Sequence, residues 1–245
     1  MKTIPMKMLP LLLCAAFMLS ACKREDPAAA AAATAAQAAA REQAAEVVAK
    51  QFEDAYAKQD WQLARGYGDV LLMDHPDSVA AGRIKERLQD AKDKLVASQD
   101  QRRMAALWAY QTEAVQGGQQ VSAAIYARKN VDTDGSGAKQ VRLIFRDHPE
   151  WGRSSYLTLQ AGDFDCYGGC QVKVGVDDAA PKPMAASRPK TDEAIAMFIE
   201  DERALWRLAG TAKVLTIEFP VKAGGTRSAV FEVGGLDRSQ LPKWN

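Results

Sequence analysis

The sequence predicts an α+β fold, in which an N-terminal helical hairpin module is followed by an antiparallel β-sheet or sandwich domain that contains one helix. Apolar residues recur at helical spacing over residues 46–97, and from Leu107 onward they alternate with a period of two. A polar run over residues 98–103 separates the two patterns. The chain has 245 residues, 47% of them hydrophobic, which is enough apolar material for one sizeable domain or two small ones.

The N-terminal segment has the features of an export signal. Lys2 and Lys7 precede an apolar run over residues 8–18, which is too short to span a bilayer. The run ends in LSAC at residues 19–22, which resembles the lipobox of bacterial lipoproteins. That resemblance implies that residues 1–21 are a signal peptide, that cleavage precedes Cys22, and that Cys22 carries the lipid, including palmitate. The alternative is an ordinary secretory signal followed by a chance cysteine.

The residue after the lipidation site bears on location. Lys23 stands where inner-membrane lipoproteins of Gram-negative bacteria usually carry Asp. The resemblance therefore implies a protein held at the outer membrane by its N-terminal lipid and facing the periplasm. More than one acyl chain is needed for stable anchoring, and a lipoprotein cysteine provides this. No later segment of the sequence is long and apolar enough to cross a membrane.

The charge balance argues against a polyanionic partner. The full chain has 32 basic and 31 acidic side chains, and removal of the signal takes away two lysines and no acid. A near-neutral mature chain gives no reason to expect nucleic-acid binding. We expect an envelope protein as the partner instead, and the sequence indicates no cofactor.

Residues 22–45 are predicted to be a lipidated stalk. Alanine dominates residues 28–45 and is the best helix former, but the stretch has no large side chains that could pack against another element. As a helix, it would reach roughly 27 Å. A flexible Ala-rich linker is the alternative.

Residues 46–105 are predicted to form a helical module. The stretch DWQLARGYGDVLLMDHP at residues 60–76 resembles the inter-helix turn and second helix of a tetratricopeptide repeat. Gly68 and Leu71 depart from that family, which has a bulky aromatic and an alanine at these places. Because a solenoid needs about three repeats, the sequence favours one tetratricopeptide-like hairpin with a third helix as a lid.

The same resemblance implies where a partner would bind. Tetratricopeptide-like modules bind peptides or helices along one face. In the predicted module the hairpin packs its apolar stripe against the third helix, which leaves the region of Tyr67 available to another chain. Aromatic residues are enriched among binding hot spots. Tyr67 is therefore the candidate partner-binding residue of the helical module.

Residues 106–245 are predicted to form the antiparallel α+β domain. Short alternating stretches indicate six or seven strands joined by turns. One helix is predicted to interrupt them, with Thr191 as its cap, Asp192 and Glu193 in its first turn, and Gly210 after its last. The buried stripe of this helix is predicted to consist of Ile195, Phe198, Ile199, Leu205 and Trp206.

The ends of this domain carry a further likeness. It opens with a Trp-x-Tyr pattern at Trp108 and closes on VGGL at residues 233–236. In this order of elements it resembles small β-rich periplasmic proteins associated with type VI secretion. No functional residue follows from that likeness.

The stretch FDCYGGCQV contains Cys166 and Cys170, which are the cysteines left when Cys14 is removed with the signal and Cys22 is lipidated. An oxidising compartment favours a disulfide between them. Asp165 and two glycines indicate a tight turn, so we predict a disulfide across a hairpin. A redox or metal role is the alternative, although the spacing is not CxxC and the sequence has no second cysteine pair nearby.

The sequence offers no catalytic or metal-binding constellation that outweighs turn chemistry. Two similar stretches, DHPD at residues 74–77 and DHPE at residues 147–150, contain both histidines, and a shared metal site is the alternative to two turns. The favoured function is non-enzymatic binding or assembly support in the cell envelope. The alternatives are an enzyme acting on an envelope polymer, with an acid such as Glu150 or Asp165, and a structural accessory of a secretion system.

Overall fold

A computed structural model describes residues 27–189 and 195–244 of the chain. Within these ranges the chain forms four α-helices, three of them in the N-terminal region, followed by a nine-stranded antiparallel sheet. This confirms the predicted α+β class. The signal peptide, Cys22 and Lys23 lie outside the described residues. The chain divides into two compact units, Met1–Ala91 and Lys92–Asn245.

The first unit is helical. Helix α1 covers Pro27–Ala57 and α2 covers Trp61–Asp74, while α3 covers Val79–Ala105 and contains the division between the units. The Ala-rich stretch is therefore helical from Pro27 onward. A side-chain oxygen of Asp60 accepts a hydrogen bond from the Leu63 N–H at 3.1 Å and caps α2.

Small residues set the packing of the first unit. A Cβ atom on Gly68 would lie 2.5 Å from Cδ1 of Leu88, so α2 approaches α3 more closely than a larger side chain would allow. Any larger side chain at this place would require the Leu88 side chain to move. The buried cluster contains many alanines around a few large side chains: Ala45, Ala49, Phe52, Ala55, Ala64, Leu71, Ala80, Ala81, Ile84, Leu88 and Ala91.

A carboxylate of α1 caps α3. The two oxygens of Glu42 accept hydrogen bonds from the backbone N–H groups of Val79 (3.2 Å) and Ala80 (3.1 Å). The first N–H groups of a helix have no partner within the helix, and a negative charge there is also favoured by the helix dipole. Glu42 thus ties the end of the Ala-rich stretch to the helical unit.

The second unit is built on a single sheet with the strand order β1-β2-β3-β4-β7-β6-β5-β8-β9. Its strands are β1 Trp108–Val115, β2 Gly118–Tyr126, β3 Val141–His148, β4 Gly152–Leu159, β5 Cys170–Val176, β6 Lys182–Ser187, β7 Ala196–Ile199, β8 Leu215–Pro220 and β9 Thr226–Phe231. Every pairing is antiparallel. The sequence predicted either an antiparallel sheet or a sandwich, and the described residues form a single sheet.

The first and last strands approach each other. The Arg128 N–H, just after β2, donates to the Val230 carbonyl of β9 at 2.7 Å, and the Trp108 indole donates to the Val233 carbonyl at 3.3 Å. The inward face of the curled sheet holds the core. Phe145 lies at its centre, with its ring edge-on to Trp206 (5.1 Å) and to Trp244 (5.5 Å).

The predicted helix over residues 191–209 is wrong in its first half. Residues 196–199 form β7, and the helix α4 covers only Glu202–Ala209. Met197 and Ile199 point into the core and Phe198 to the opposite face, which is the period of a strand. The side chain of Asp201 accepts from the Ala204 N–H at 2.9 Å and caps α4, while the predicted cap Thr191 and the acids Asp192 and Glu193 lie outside the described residues.

Candidate functional site

The outward face of β2, β3, β4 and β7 combines two arginines with aromatic rings. Alternation in β3 sends Leu143 and Phe145 into the core and Arg142 and Arg146 to the other side. Directly paired residues of an antiparallel sheet lie on one face, which places the paired residues of the neighbouring strands beside them. We call this surface the arginine–aromatic face and define it by Arg142, Arg146, Tyr126, Trp151, Tyr156 and Phe198.

Both guanidinium groups lie over aromatic rings. The Arg142 Cζ atom is 5.4 Å from the ring centre of Tyr126. The Arg146 Cζ atom is 5.3 Å from the ring centres of both Trp151 and Tyr156. A cation over an aromatic face is attracted by the ring quadrupole, and the planar guanidinium of arginine stacks well in this way. The rings therefore hold the two arginine side chains down against the sheet.

Neither arginine has a carboxylate partner within residues 27–189 and 195–244. No ion pair or side-chain hydrogen bond involves Arg142 or Arg146 there, and the Nε atoms of both are shielded from solvent without a hydrogen-bond acceptor. A buried donor left without an acceptor costs about 1–3 kcal/mol.

The floor between the arginines is apolar. Ile144 lies between them on β3 and is buried, and it is paired across the strands with Tyr156 and Ala124. The Tyr156 ring packs on Phe198 with centres 5.1 Å apart. Burial raises the pKa of Tyr156, and the nearby arginines oppose the rise only in part, so the phenol stays protonated at neutral pH.

Trp151 forms the exposed rim of the face. Its side chain is 68% exposed and stacks on the His148 ring, with centres 3.9 Å apart and planes 12° apart. His148 Nδ1 accepts hydrogen bonds from the N–H groups of Glu150 (3.1 Å) and Trp151 (3.3 Å). His148 therefore orders the β3–β4 turn and supports Trp151.

The outward side of β1 contributes one carboxylate near this face. Glu113 of β1 is exposed, and it accepts a 3.5 Å hydrogen bond from the amide of Gln120 on β2. The face is thus predominantly cationic and aromatic, with an acid at its β1 side.

Turn chemistry was favoured over a shared metal site for the two histidine stretches. His75 lies in the first unit and His148 in the second. Among the described residues, no group of three or more His, Cys, Asp or Glu side chains is placed to hold a metal ion. In the loop between β2 and β3, the Asp132 carboxylate accepts hydrogen bonds from the backbone N–H groups of Asp134 and Gly135.

The two cysteines lie at disulfide distance. Their Sγ atoms are 1.99 Å apart, and the Gly169 N–H donates to the Cys166 carbonyl at 3.2 Å, which closes a turn. The predicted hairpin across this turn is wrong, because β5 starts at Cys170 and pairs with β6 and β8. The residues before Cys166 are not its ladder partner; Phe164 instead bridges to Val221.

A charged cluster surrounds this turn. Asp163 contacts Nε of the buried Arg188 at 2.5 Å and Nζ of Lys222 at 2.7 Å. Both cations also lie over the ring of Tyr167, at 4.7 and 4.3 Å. Burial acts to raise the pKa of Asp163, but hydrogen bonds from Lys222, Arg188 and the Phe164 N–H outweigh burial and hold that pKa below its ordinary value. Every charge in this cluster therefore has a partner.

Tyr67, the predicted partner-binding residue of the helical unit, is half-buried. It packs against the hydrophobic cluster of that unit and lines a shallow groove of about 350 Å³ between α1 and α2. The groove is also lined by Gln51, Asp54, Ala55, Lys58, Asp60 and Leu63. It contains charges of both signs, whereas the residues that define the arginine–aromatic face carry only positive charges.

The acids considered for an enzyme lie apart along the chain. Glu150 is in the turn at the start of β4, and Asp165 follows the end of β4. Both side chains are exposed.

The sequence analysis missed the arginine–aromatic face. Its signal was the second set of alternating positions in VRLIFRDH, where arginine recurs four residues apart.

No protein-family model, curated protein or solved structure matches the chain. None of the helices in the described part of the chain has the length and apolar character needed to cross a membrane.

Proposed function

We propose that this chain is an outer-membrane-anchored periplasmic lipoprotein that acts as a non-enzymatic binding or assembly module in the cell envelope. The arginine–aromatic face is its main binding surface in this proposal. The observation that carries the proposal is the pair of ring-stacked arginines without a carboxylate partner. Arginine, tyrosine and tryptophan are enriched at protein interfaces and among their hot spots.

The groove beside Tyr67 is the second surface of the proposed function. Its aromatic ring and its position between two helices support a role in peptide binding. The tetratricopeptide-like pattern of residues 60–76 supports the same role.

The anchor is tested by changing Cys22→Ser. The variant should leave the membrane fraction, because no acylated cysteine would hold it there. Membrane fractionation of intact cells measures this, with the unchanged protein as the control. A variant that still sediments with outer membrane would show that the lipobox reading is wrong.

The binding surface is tested with a photo-crosslinking residue at Thr158, which lies beside Arg142 on the outward face. We expect crosslinks to envelope proteins that disappear when Arg142 and Arg146 are both changed to Gln. The matched control carries the crosslinker at Gln171, an exposed position on β5. Crosslinks that are equal at both positions, or that persist in the double variant, would contradict the assigned face.

A further inference from the structure

We propose that the arginine–aromatic face binds an extended acidic segment of a partner protein, with carboxylates four residues apart and an aliphatic residue midway between them. This inference rests on the proposed binding function and adds the chemistry of the partner. It follows from the spacing of the two arginines, from the surface between them, and from the orientation in which the rings hold the guanidinium groups.

The spacing gives the repeat of the ligand. Arg142 and Arg146 are four residues apart on one strand, so their Cα atoms are separated by roughly 13 Å at the usual rise of a strand. An extended peptide that runs along β3 has the same rise. Side chains at its positions i and i+4 therefore face the two arginines at once, and the side chain at i+2 points the same way.

The surface between the arginines gives the middle residue. Ile144 and Tyr156 form the floor there, and Ala124 adds no polar group. An aliphatic side chain at i+2 would bury its surface on this floor, whereas a polar one would lose water without gaining a partner.

The stacked geometry favours a carboxylate. The rings of Tyr126, Trp151 and Tyr156 hold the guanidinium groups against the sheet, as described above. Each guanidinium has five N–H donors in a fixed fork that matches the two oxygens of a carboxylate. Neither arginine forms an ion pair within residues 27–189 and 195–244, so a ligand carboxylate would not have to displace a carboxylate of the chain itself.

An anionic polysaccharide is the competing class of ligand, because sugar rings also stack on exposed aromatic residues. Such a polymer offers a carboxylate but no aliphatic group for the floor at Ile144. The interface composition of Arg, Trp and Tyr also favours a protein. We therefore assign the face to an acidic polypeptide and use the polysaccharide as an arm of the test.

The experiment measures binding of defined probes to the full mature chain, residues 22–245, by nuclear magnetic resonance of its tryptophan indole groups. The first probe is a nine-residue Thr-rich peptide with Glu at positions 3 and 7 and Val at position 5. The second replaces both Glu with Gln, the third replaces Val with Ser, and the fourth is an oligogalacturonate. A Trp151→Phe variant assigns the indole signal of Trp151.

We expect the Glu peptide to shift the Trp151 signal and to bind at least tenfold more tightly than the Gln peptide. The Ser peptide should bind about threefold more weakly than the Glu peptide. Arg146→Lys should weaken binding of the Glu peptide about fivefold, because lysine lacks the planar fork. The control variant Lys173→Gln, on the outward side of β5, should leave binding unchanged.

Two results would overturn the inference. One is equal binding of the Glu and Gln peptides, and the other is binding of the oligogalacturonate with none of the peptides. If no probe binds while the arginine-dependent crosslinks at Thr158 persist, the acidic-peptide assignment is wrong and the binding function stands. If those crosslinks are also absent, the proposed function itself fails.

Discussion

An ion-paired arginine of the helical unit contrasts with the two arginines of the arginine–aromatic face in the second unit. In the helical unit, Arg83 pairs with Glu46 at 2.8 Å and with Glu53 at 3.4 Å. The hydrogen bond from Arg83 lowers the pKa of Glu46, which shows that the two charges neutralise each other within the unit. On the arginine–aromatic face of the second unit, no such compensation occurs among the described residues. The charge of Arg83 is thus compensated within its own unit, whereas Arg142 and Arg146 have no ion-pair partner among the described residues.

The largest expected effect separates the two sides of the sheet. Phe145→Ala should lower the free energy of unfolding by about 3–5 kcal/mol, because it removes a fully buried ring that contacts Trp206 and Trp244. Urea denaturation followed by circular dichroism measures this. The control is Tyr126→Ala on the outward side, where the ring is 48% exposed and a loss below about 1 kcal/mol is expected. Equal losses would mean that the outward face is part of the core.

The next-largest effect compares the stability contributed by the Asp163–Arg188 pair of the second unit with that of the exposed Glu46–Arg83 pair of the first. Asp163→Asn should destabilise the protein by about 2 kcal/mol at pH 7, because the buried Arg188 would lose its carboxylate. Glu46→Gln is the matched change in the helical unit, and we expect no shift of its denaturation midpoint because that pair is exposed.

The pH dependence of Asp163→Asn has a defined sign. The folded-state pKa of Asp163 is lowered, so its stabilising effect is present above the unfolded-state pKa of about 3.9 and is lost as the pH falls through the folded-state value. The difference between the original protein and the Asn variant should therefore shrink from pH 7 to pH 3. A difference that stays constant over this range would contradict the assigned charge pairing.

Reduction of the Cys166–Cys170 pair should have an effect of similar size. Closing so short a loop stabilises the folded state by about 2 kcal/mol through loss of unfolded-chain entropy. Thiol labelling of unreduced, denatured mature protein should find neither cysteine free. A double Cys→Ser variant should lower stability by that amount and leave peptide binding at Trp151 intact. Labelling of both cysteines in the unreduced protein would contradict the disulfide and favour the alternative, a redox or metal role for this pair.

The smallest expected effects compare the two binding surfaces directly. Trp151→Ala should weaken capture of the crosslinked partner by about 1–2 kcal/mol, because Trp151 is an exposed ring stacked on His148 and on Arg146. Tyr67→Ala should have less effect, since that ring is already half-buried against its own unit. Affinity measurements with both variants test the order. A larger loss for Tyr67→Ala would move the main binding surface to the helical unit.

Sequence patterns predicted the parts of the fold that depend on burial along one element. Leu143 and Phe145 alternate in the sequence and lie in the core. The structure of the segment before Gly210 was harder to predict, because Ile195, Phe198 and Ile199 also fit helical spacing. Residues 196–199 form a strand because they pair with β4 and β6, and the sequence of the segment does not reveal these partners. Strand β6 has the sequence KPMAAS, which lacks a strong apolar alternation.

The candidate site depends on register, which the sequence does not give directly. Tyr126, Arg142 and Thr158 come from three strands and meet only because β2, β3 and β4 pair in one particular alignment. Phe198 joins Tyr156 through a strand that was predicted as helix. A single-strand pattern can find the arginines but cannot place the rings that hold them.

The long helix α1 has one further consequence. Residues 27–41 are exposed, so the 15 residues before the Glu42 cap derive their helical state from alanine propensity alone. As a helix they span about 22 Å, and fully extended about 50 Å. Isolated helices of this length are marginal in water and melt gradually on warming. We therefore expect this exposed segment to melt on warming before the packed residues of α1 do.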